Sequence, residues 1–477
     1  MTYIIAIDSG TTSTRVIAYD PFGNVAHIAQ KTLDIRFPQP GWVEQEALEI
    51  WEKTHQCLVD TLTVLGPNTI EAIGITNQRE TSIIWDKKTH LPIGPAINWQ
   101  CRRTQGRCQE LNSNQSIIKQ LTGLPLDPYF SATKFEWLLN NFSEARALNS
   151  AGKLCFGTVD VWLLFQLTNG KSYFTDVTNA SRTMLFDIHD QVYHQELCKL
   201  VNIHPDQLPQ VKNSIDSFGV FEFDGIEIPI KAMIGDQQAA LFAQCNETTG
   251  RIKNTYGTGL FLMANTGQKA IQTHDLITTI ALGKANQISY AIEGSVFTGG
   301  SLIQWLRDNL GLLDHAHQSE VMATSVSNNA GVTIIPALTG LGAPHWKPNA
   351  KGMILGLTRK ATKAHIVRAA LEAIVMQSHD IIQLIQKECA HILFNELWVD
   401  GGASSNNWLM QLQADVSGLT VARPNHIEAT ALGAAYCAGL DSSFFKLDPT
   451  KNHKTFDPQT DPVELKDQWK NALRQMN

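Results

Sequence analysis

The strongest constraint on this chain is a motif that occurs twice. Near the start, Ile5-Ala-Ile-Asp8-Ser-Gly10-Thr11-Thr12 carries an apolar run into a Gly/Thr turn, and Asn254-Thr-Tyr-Gly257-Thr258-Gly259-Leu-Phe-Leu-Met263 does the same about midway along the 477 residues. Strand-forming residues on both sides of a turn describe a hairpin. Two halves that open alike predict a duplicated architecture. Around the first copy the pattern reads as three antiparallel strands, Tyr3 to Ile7, Arg15 to Tyr19 and Val25 to Ala29. Leu48, Trp51, His55, Leu58, Leu62 and Leu65 then alternate at spacings of three and four, which predicts a helix that Gly66-Pro67 stops. Strands at Ala72 to Thr76 and Ser82 to Trp85 complete an α/β opening. Later come a strand at Gly331 to Pro336, a helix from Lys363 to about Cys389, a strand at Glu396 to Val399, and helices after Asn406 and Thr430. Polar turn residues at Cys245 to Gly250 place the boundary between halves there, giving 1–248 and 249–477. The tail from Asp441 to Pro462 is polar, and the short amphipathic Val463 to Met476 is expected to pack on the surface.

Composition narrows the function classes. Hydrophobic residues are 43% and charged residues 17%, as in an ordered globular protein. Lys plus Arg number 38 against 45 Asp plus Glu, a net charge of −7 with no basic block, which argues against nucleic-acid binding. A nucleotide substrate is still allowed, because a phosphate site needs only local donors. The eight cysteines form no CxxC and no zinc-spaced cluster, so they read as reduced thiols in a cytoplasmic protein. The N-terminus lacks the basic region of an export signal, and no apolar stretch approaches the roughly 18 residues of a membrane span, so no stable membrane insertion is expected.

Familiar phosphate signatures fail on count. Gly170-Lys171-Ser172 ends like a P-loop, yet Phe165 stands where the first glycine should be. Gly257-Thr258-Gly259 begins like a dinucleotide fingerprint, yet Leu262 breaks it. What stands out are strand-to-turn elements beside a carboxylate. In Asp8-Ser9-Gly10-Thr11-Thr12-Ser13 a tight turn would offer N–H groups and hydroxyls to an anion, with Asp8 near enough to hold a hydrated Mg²⁺; an ordinary hairpin turn is the alternative. Gly235-Asp236-Gln237-Gln238 puts a carboxylate where a strand hands over to a helix, either as a proton acceptor or as a helix cap. The paired glycines of Asp400-Gly401-Gly402 allow close approach of a ring or a phosphate.

The order of these elements resembles the two phosphate loops and the adenosine loop of the actin, hexokinase and Hsp70 ATPase superfamily. Pro40 to Glu44, Gly74 to Glu80, Trp99 to Thr104, Asp127 to Ser131, Thr178 to Met184, Gly235 to Ala240, Asn254 to Gly259 and Leu338 to Pro344 narrow the resemblance to the sugar and polyol kinases, and among them to the glycerol kinase family, over about residues 3 to 440. The resemblance implies an α/β fold of two ribonuclease-H-like, actin-like domains with an interdomain active-site cleft. The first, 1–248, would carry most of the polyol site and the first phosphate loop. The second, 249–477, would carry the second phosphate loop and the adenosine site.

By the same resemblance, the polyol site falls on Arg79, Glu80, Trp99, Tyr129, Asp236, Gln237 and Phe261, the nucleotide contacts on Thr11, Thr12, Ser13, Arg15, Thr258, Gly300, Gln304, Gly402 and Asn406, and the Mg²⁺-proximal carboxylate on Asp8. Singly, Trp99 and Phe261 also read as core, and Arg15 and Gln304 as surface pairs. The implied reaction is ATP-dependent phosphorylation of glycerol in glycerol catabolism, with Asp236 as general base, ATP and Mg²⁺ as cofactors, ADP as product and a homo-oligomer, dimer or tetramer, as the assembly. A kinase for another polyol or pentulose, and a filament- or chaperone-type ATPase, are the competing readings. Closure of the two halves over ATP is also implied. Ser9 stands where the first phosphate turn often has Gln, and Ser404-Ser405 replace smaller or more apolar residues. Phe221 to Pro229 is short and acidic where some members carry a longer Gly-rich loop for an anionic sugar-phosphate effector, so feedback of that kind is not expected here.

Overall fold

The computed structural model describes residues 1–345, 347, 349–424, 428–446 and 453–476. Thirteen of its strands join into one sheet. In chain order they are β1 (Tyr3–Ser9), β2 (Ser13–Tyr19), β3 (Val25–Thr32), β4 (Ile70–Asn77), β5 (Ile215–Phe223), β6 (Ile226–Gly235), β7 (Arg251–Tyr256), β8 (Leu260–Gly267), β9 (Ile277–Lys284), β10 (Gln287–Val296), β11 (Glu396–Asp400), β12 (Thr420–Pro424) and β13 (His453–Phe456).

The duplication is real at the level of strand order. In the first half β6, β4 and β1 run parallel, and β2 and β3 continue antiparallel beside β1. In the second half β12, β11 and β7 run parallel, and β8 and β10 continue antiparallel beside β7. The halves join along the sheet through β5 and β9, at the single pairing of Ile215 with Lys284. Ile4 to Ile7 are all buried because both faces of β1 are covered, which explains its continuous apolar run.

Helices cover the faces and also cross between halves. The helix α1 (Ala47–Leu65) buries Ile50, Leu58 and Leu62 against Ile5, Ile7 and Ile73. Two helices follow the last parallel strand of each half: α2 (Asp236–Cys245) after β6 and α6 (Ala429–Gly439) after β12. Ala431, Ala434 and Ala435 of α6 pack on Ile4, Ala6 and Ala72 of the first half, whereas Leu241 and Cys245 of α2 pack on Met263 and Trp398 of the second. The crossing is tight enough to require glycine. A Cβ at Gly433 would lie 2.0 Å from the Ala239 carbonyl oxygen, and one at Gly74 would lie 2.3 Å from that of Ala434. Between them in sequence come α3 (Ser301–Asp308), α4 (Lys363–Glu388) and α5 (Asn407–Ser417).

The structure adds to three expectations. The segment after Glu80 is a strand, Ile83–Asp86, but it pairs with Leu154–Gly157 and stays outside the main sheet, because Glu80 at φ 62° turns the chain away. Thr333–Ile335 likewise forms a separate two-stranded ladder with Met353–Leu355. The C-terminal helix, Val463–Arg474, is an anchored element: Trp469 is buried in the second-half core and donates its indole N–H to Asp380 at 2.8 Å. Residues 447–452 of the polar tail lie outside the described residues. All eight cysteines are free and buried.

Candidate active site

The ends of the parallel strands position the chemistry. Asp8 at the end of β1 is level with Thr76 of β4, and Thr76 with Ile234 of β6, so Asp8 and Asp236 emerge at the same edge. Strand ends at a switch of connection are where open α/β sheets bind ligands. Asp236 is the first residue of α2, with Gly235 at the cap position, so the capping alternative does not hold. Its Oδ1 accepts the Gln237 N–H at 2.7 Å and faces Arg79 Nε at 3.2 Å. Burial pushes the Asp236 carboxyl above its ordinary range, while Arg79, the Gln237 N–H and Lys253 oppose that rise and Asp8 adds to it. A carboxylate with a raised pKa at a strand end is suited to take a proton.

The seven polyol residues of the sequence reading come together. Trp99, Tyr129 and Phe261 are half-buried. Trp99 meets Tyr129 at 5.7 Å and Phe261 at 6.3 Å between ring centres, both edge-to-face. Phe261 belongs to the second half and the other two to the first, so the aromatic wall spans the cleft. None of the three rings is fully buried, so they are not plain core. Gln237 accepts from Lys253 Nζ at 2.5 Å.

Below the wall lies a buried ion network. Arg79 forks onto Glu293, Nη1 to Oε2 at 2.7 Å and Nη2 to Oε1 at 3.2 Å, and Nη1 also reaches Gln238 at 3.3 Å. Arg182 donates through Nε to Glu80 Oε1 at 2.6 Å and through Nη2 to Glu293 Oε1 at 3.2 Å. Burial would raise Glu293, but Arg182 and Arg79 outweigh it and hold the carboxyl down at about 2. Burial dominates at Glu80 and leaves it above the usual range despite Arg182 and Arg79.

The first phosphate turn is both a hairpin turn and a braced one. Gln45 Nε2 donates to the Thr11 carbonyl at 2.9 Å and Gln78 Nε2 to that of Gly10 at 3.2 Å, and Asn98 ties the two glutamines together. Thr12 is exposed at the tip, and Ser13 opens β2. Arg15 is no surface pair: it donates to Asp8 Oδ2 at 2.6 Å and to Glu428, just before α6. Burial raises Asp8, with Arg15 opposing and Glu428 adding. Among the described residues no three His, Cys, Asp or Glu form a metal cage. A single carboxylate beside an anion-binding turn fits a hydrated Mg²⁺, which keeps most of its waters and takes phosphate oxygens.

The remaining nucleotide candidates line the second half. Thr258 sits in the turn between β7 and β8; its carbonyl accepts from Gly299 N at 2.8 Å and Ser301 Oγ at 2.8 Å, while Gly300 N reaches Gly257 O at 2.8 Å. Gly402 begins a short 3-10 turn, and nothing lies within 4 Å of where its Cβ would be. Asn406 caps α5 through Oδ1, accepting Leu409 N at 2.9 Å, and its buried Nδ2 has no partner. That donor and the open face at Gly402 fit a ring laid against the backbone. Gln304 is exposed on α3, and its N–H donates to the Gly300 carbonyl at 3.2 Å.

Sequence reasoning missed Glu293, Arg182, Gln238 and Lys253, together with the Gln45, Gln78 and Asn98 brace. Arg182, Gln78 and Gln238 lay inside the motifs already singled out. Glu293 was visible only as a lone charge in its strand, and Lys253 only as one of two basic residues in β7.

Two family profiles match the chain: that of the N-terminal domain of the FGGY family of carbohydrate kinases over residues 3–243, and that of its C-terminal domain over residues 252–441. The chain belongs to the FGGY family of carbohydrate kinases. Within it, the chain is 49% identical to a glycerol kinase of Shewanella frigidimarina, over 93% of this chain and 90% of that protein. It is 48% identical to one of Clostridium botulinum, again over 93% and 90%. The crystal structure of a Plasmodium falciparum glycerol kinase with ADP superposes with a TM-score of 0.94 at 34% identity, covering 100% of this chain and 98% of that one. The actin-like ATPase fold of two α/β halves is thereby established.

Proposed function

We propose that the protein transfers the γ-phosphoryl group of ATP to a terminal hydroxyl of glycerol, giving sn-glycerol 3-phosphate and ADP. The observation that carries this reading is the short-walled cleft of Trp99, Tyr129 and Phe261, floored by Arg79, Glu80 and Asp236 and opening beside the Asp8 turn. Three rings wall a small carbon chain, and the guanidinium and carboxylate serve as donor and acceptor for hydroxyls. The kinship with glycerol kinases supports the same acceptor.

In the reaction Asp236 accepts the proton as the hydroxyl oxygen bonds to the γ-phosphorus and the bond to the β-phosphate oxygen breaks. Arg79 and Glu80 hold the other hydroxyls, with Gln237 and Tyr129 adding hydrogen bonds. The Thr11-Thr12-Ser13 turn and the Thr258 turn receive the phosphates, Gly300 and Gln304 flank them, and Gly402 and Asn406 receive the adenosine. Asp8, steered by Arg15, is the carboxylate that would hold Mg²⁺ through water. When bound, Mg²⁺ supplies charge neutralisation on the β- and γ-phosphates.

The boundary at 248/249, a cytoplasmic location and a homodimeric or homotetrameric state belong to the same proposal. Among the described residues no helix is long and apolar enough to cross a membrane. The decisive experiment is Mg·ATP consumption with glycerol, dihydroxyacetone, erythritol, ribitol or xylulose, with NMR of the product. Glycerol-dependent ADP release with sn-glycerol 3-phosphate is expected. Turnover on another acceptor alone would overturn the substrate, and acceptor-independent hydrolysis would overturn the kinase reading.

A further inference from the structure

The floor of the cleft is built from both halves of the chain. Arg79 and Glu80 follow β4, and Arg182 lies in the long excursion between β4 and β5, all in the first half. Glu293 comes from β10 in the second half, and the chain leaves β10 directly towards Gly300. Both arginines converge on this one carboxylate, with three N–H contacts between 2.7 and 3.2 Å.

Counting donors shows what that arrangement decides. Arg79 has five N–H groups. Two point at Glu293 and one at Gln238, while Nε lies 3.2 Å from Asp236 Oδ1, so Nη2 keeps one N–H that no hydrogen bond among the described residues uses. Its direction is fixed by the fork onto Glu293, since a guanidinium is planar and a bidentate pair sets both its plane and its rotation. Arg182 spends Nη2 on Glu293 and Nε on Glu80 Oε1, and among the described residues no donor reaches Glu80 Oε2. Tyr129 and Phe130 lie over the Arg182 guanidinium at 5.6 and 5.2 Å, and its Nη1 is buried without a hydrogen-bond partner among the described residues.

We propose that Glu293 is a positioning residue of the polyol site: from the second half it aims Arg79 directly and Glu80 through Arg182, and so sets polyol affinity without touching the polyol. The inference rests on the proposed polyol reading of the cleft. A buried pair of this kind adds little stability compared with apolar packing, and orientation is what it supplies.

The test compares wild-type protein with E293Q and E293D in steady-state kinetics, with the ADP dissociation constant measured by intrinsic fluorescence. Glu293→Gln is expected to raise the glycerol KM about tenfold or more while the ADP dissociation constant stays within about twofold, and Glu293→Asp, which keeps the charge, to raise the KM less. A folded E293Q with glycerol KM within about twofold of wild type overturns the proposal, as does a parallel loss of glycerol and ADP affinity, the mark of a general structural role. If E293Q does not fold, E293D decides by the same criteria. A wild-type protein that does not use glycerol overturns the substrate reading and this inference with it, whereas a glycerol KM unaltered in the variants overturns the inference alone.

Discussion

Trp99 donates its indole N–H to the hydroxyl of Thr11 at 2.9 Å. In the proposed reading, a wall of the polyol site is thus hydrogen-bonded to the turn proposed to receive phosphate, so one contact links the two substrate sites. Trp99→Phe keeps most of the wall and deletes the bond. A lost neutral hydrogen bond costs about 0.5–1.5 kcal/mol, so KM for both glycerol and Mg·ATP is expected to rise about two- to tenfold. A change in the glycerol KM alone would mean that Thr11 is held by its backbone brace and not by Trp99.

Removing the proton acceptor should strike turnover. Asp236→Asn keeps the shape and loses the base, so kcat is expected to fall about 10²- to 10⁴-fold, with ADP affinity within about twofold. Single-turnover measurement with radiolabelled ATP reads the chemical step, and a kcat within tenfold of wild type would remove Asp236 from that role.

The pH profile has a worked sign. Burial raises Asp236 above its ordinary range, with Arg79, the Gln237 N–H and Lys253 opposing and Asp8 adding. A general base must be ionised, so kcat/KM should fall as pH drops through that raised value, earlier than for an exposed aspartate. Lys253→Met removes a cation that favours the ionised form, and the acidic limb should move to higher pH. A limb that stays or moves down would show that Lys253 acts on Gln237 and not on Asp236.

The crossing of α2 and α6 is sensitive to a single carbon. Gly433→Ala places a Cβ 2.0 Å from the Ala239 carbonyl. Overpacking of this kind costs about 1–3 kcal/mol, so the thermal midpoint should fall by several degrees. An unchanged midpoint would mean that the helices slide apart without cost.

Residues 221–229 form a tight hairpin. Asp224 and Gly225 hold φ 50° and 76° at its tip, and Glu222 faces Glu227 across the ladder. An acidic tip repels anions. A sugar bisphosphate at millimolar concentration is expected to leave the rate within about twofold, and inhibition with ordinary affinity would refute this.

The sequence by itself determined the duplicated α/β plan, the Asp8 strand end and the Gly/Thr turns, and the resemblance of its local motifs to the glycerol kinase family pointed to the seven proposed polyol residues. These were legible because each rests on short-range chemistry: a strand run, a glycine turn, a carboxylate at a strand end. Tertiary structure alone decided how they are held. Glu293 reaches Arg79 across 214 residues of chain and Arg182 reaches Glu80 across 102, separations that leave no local periodicity to detect. The same holds for the strand after Glu80, whose composition suits any sheet until a positive φ sends it to Leu154–Gly157. Pairing of a buried charge depends on which elements fold against it, and that is settled only when the two halves close on one another.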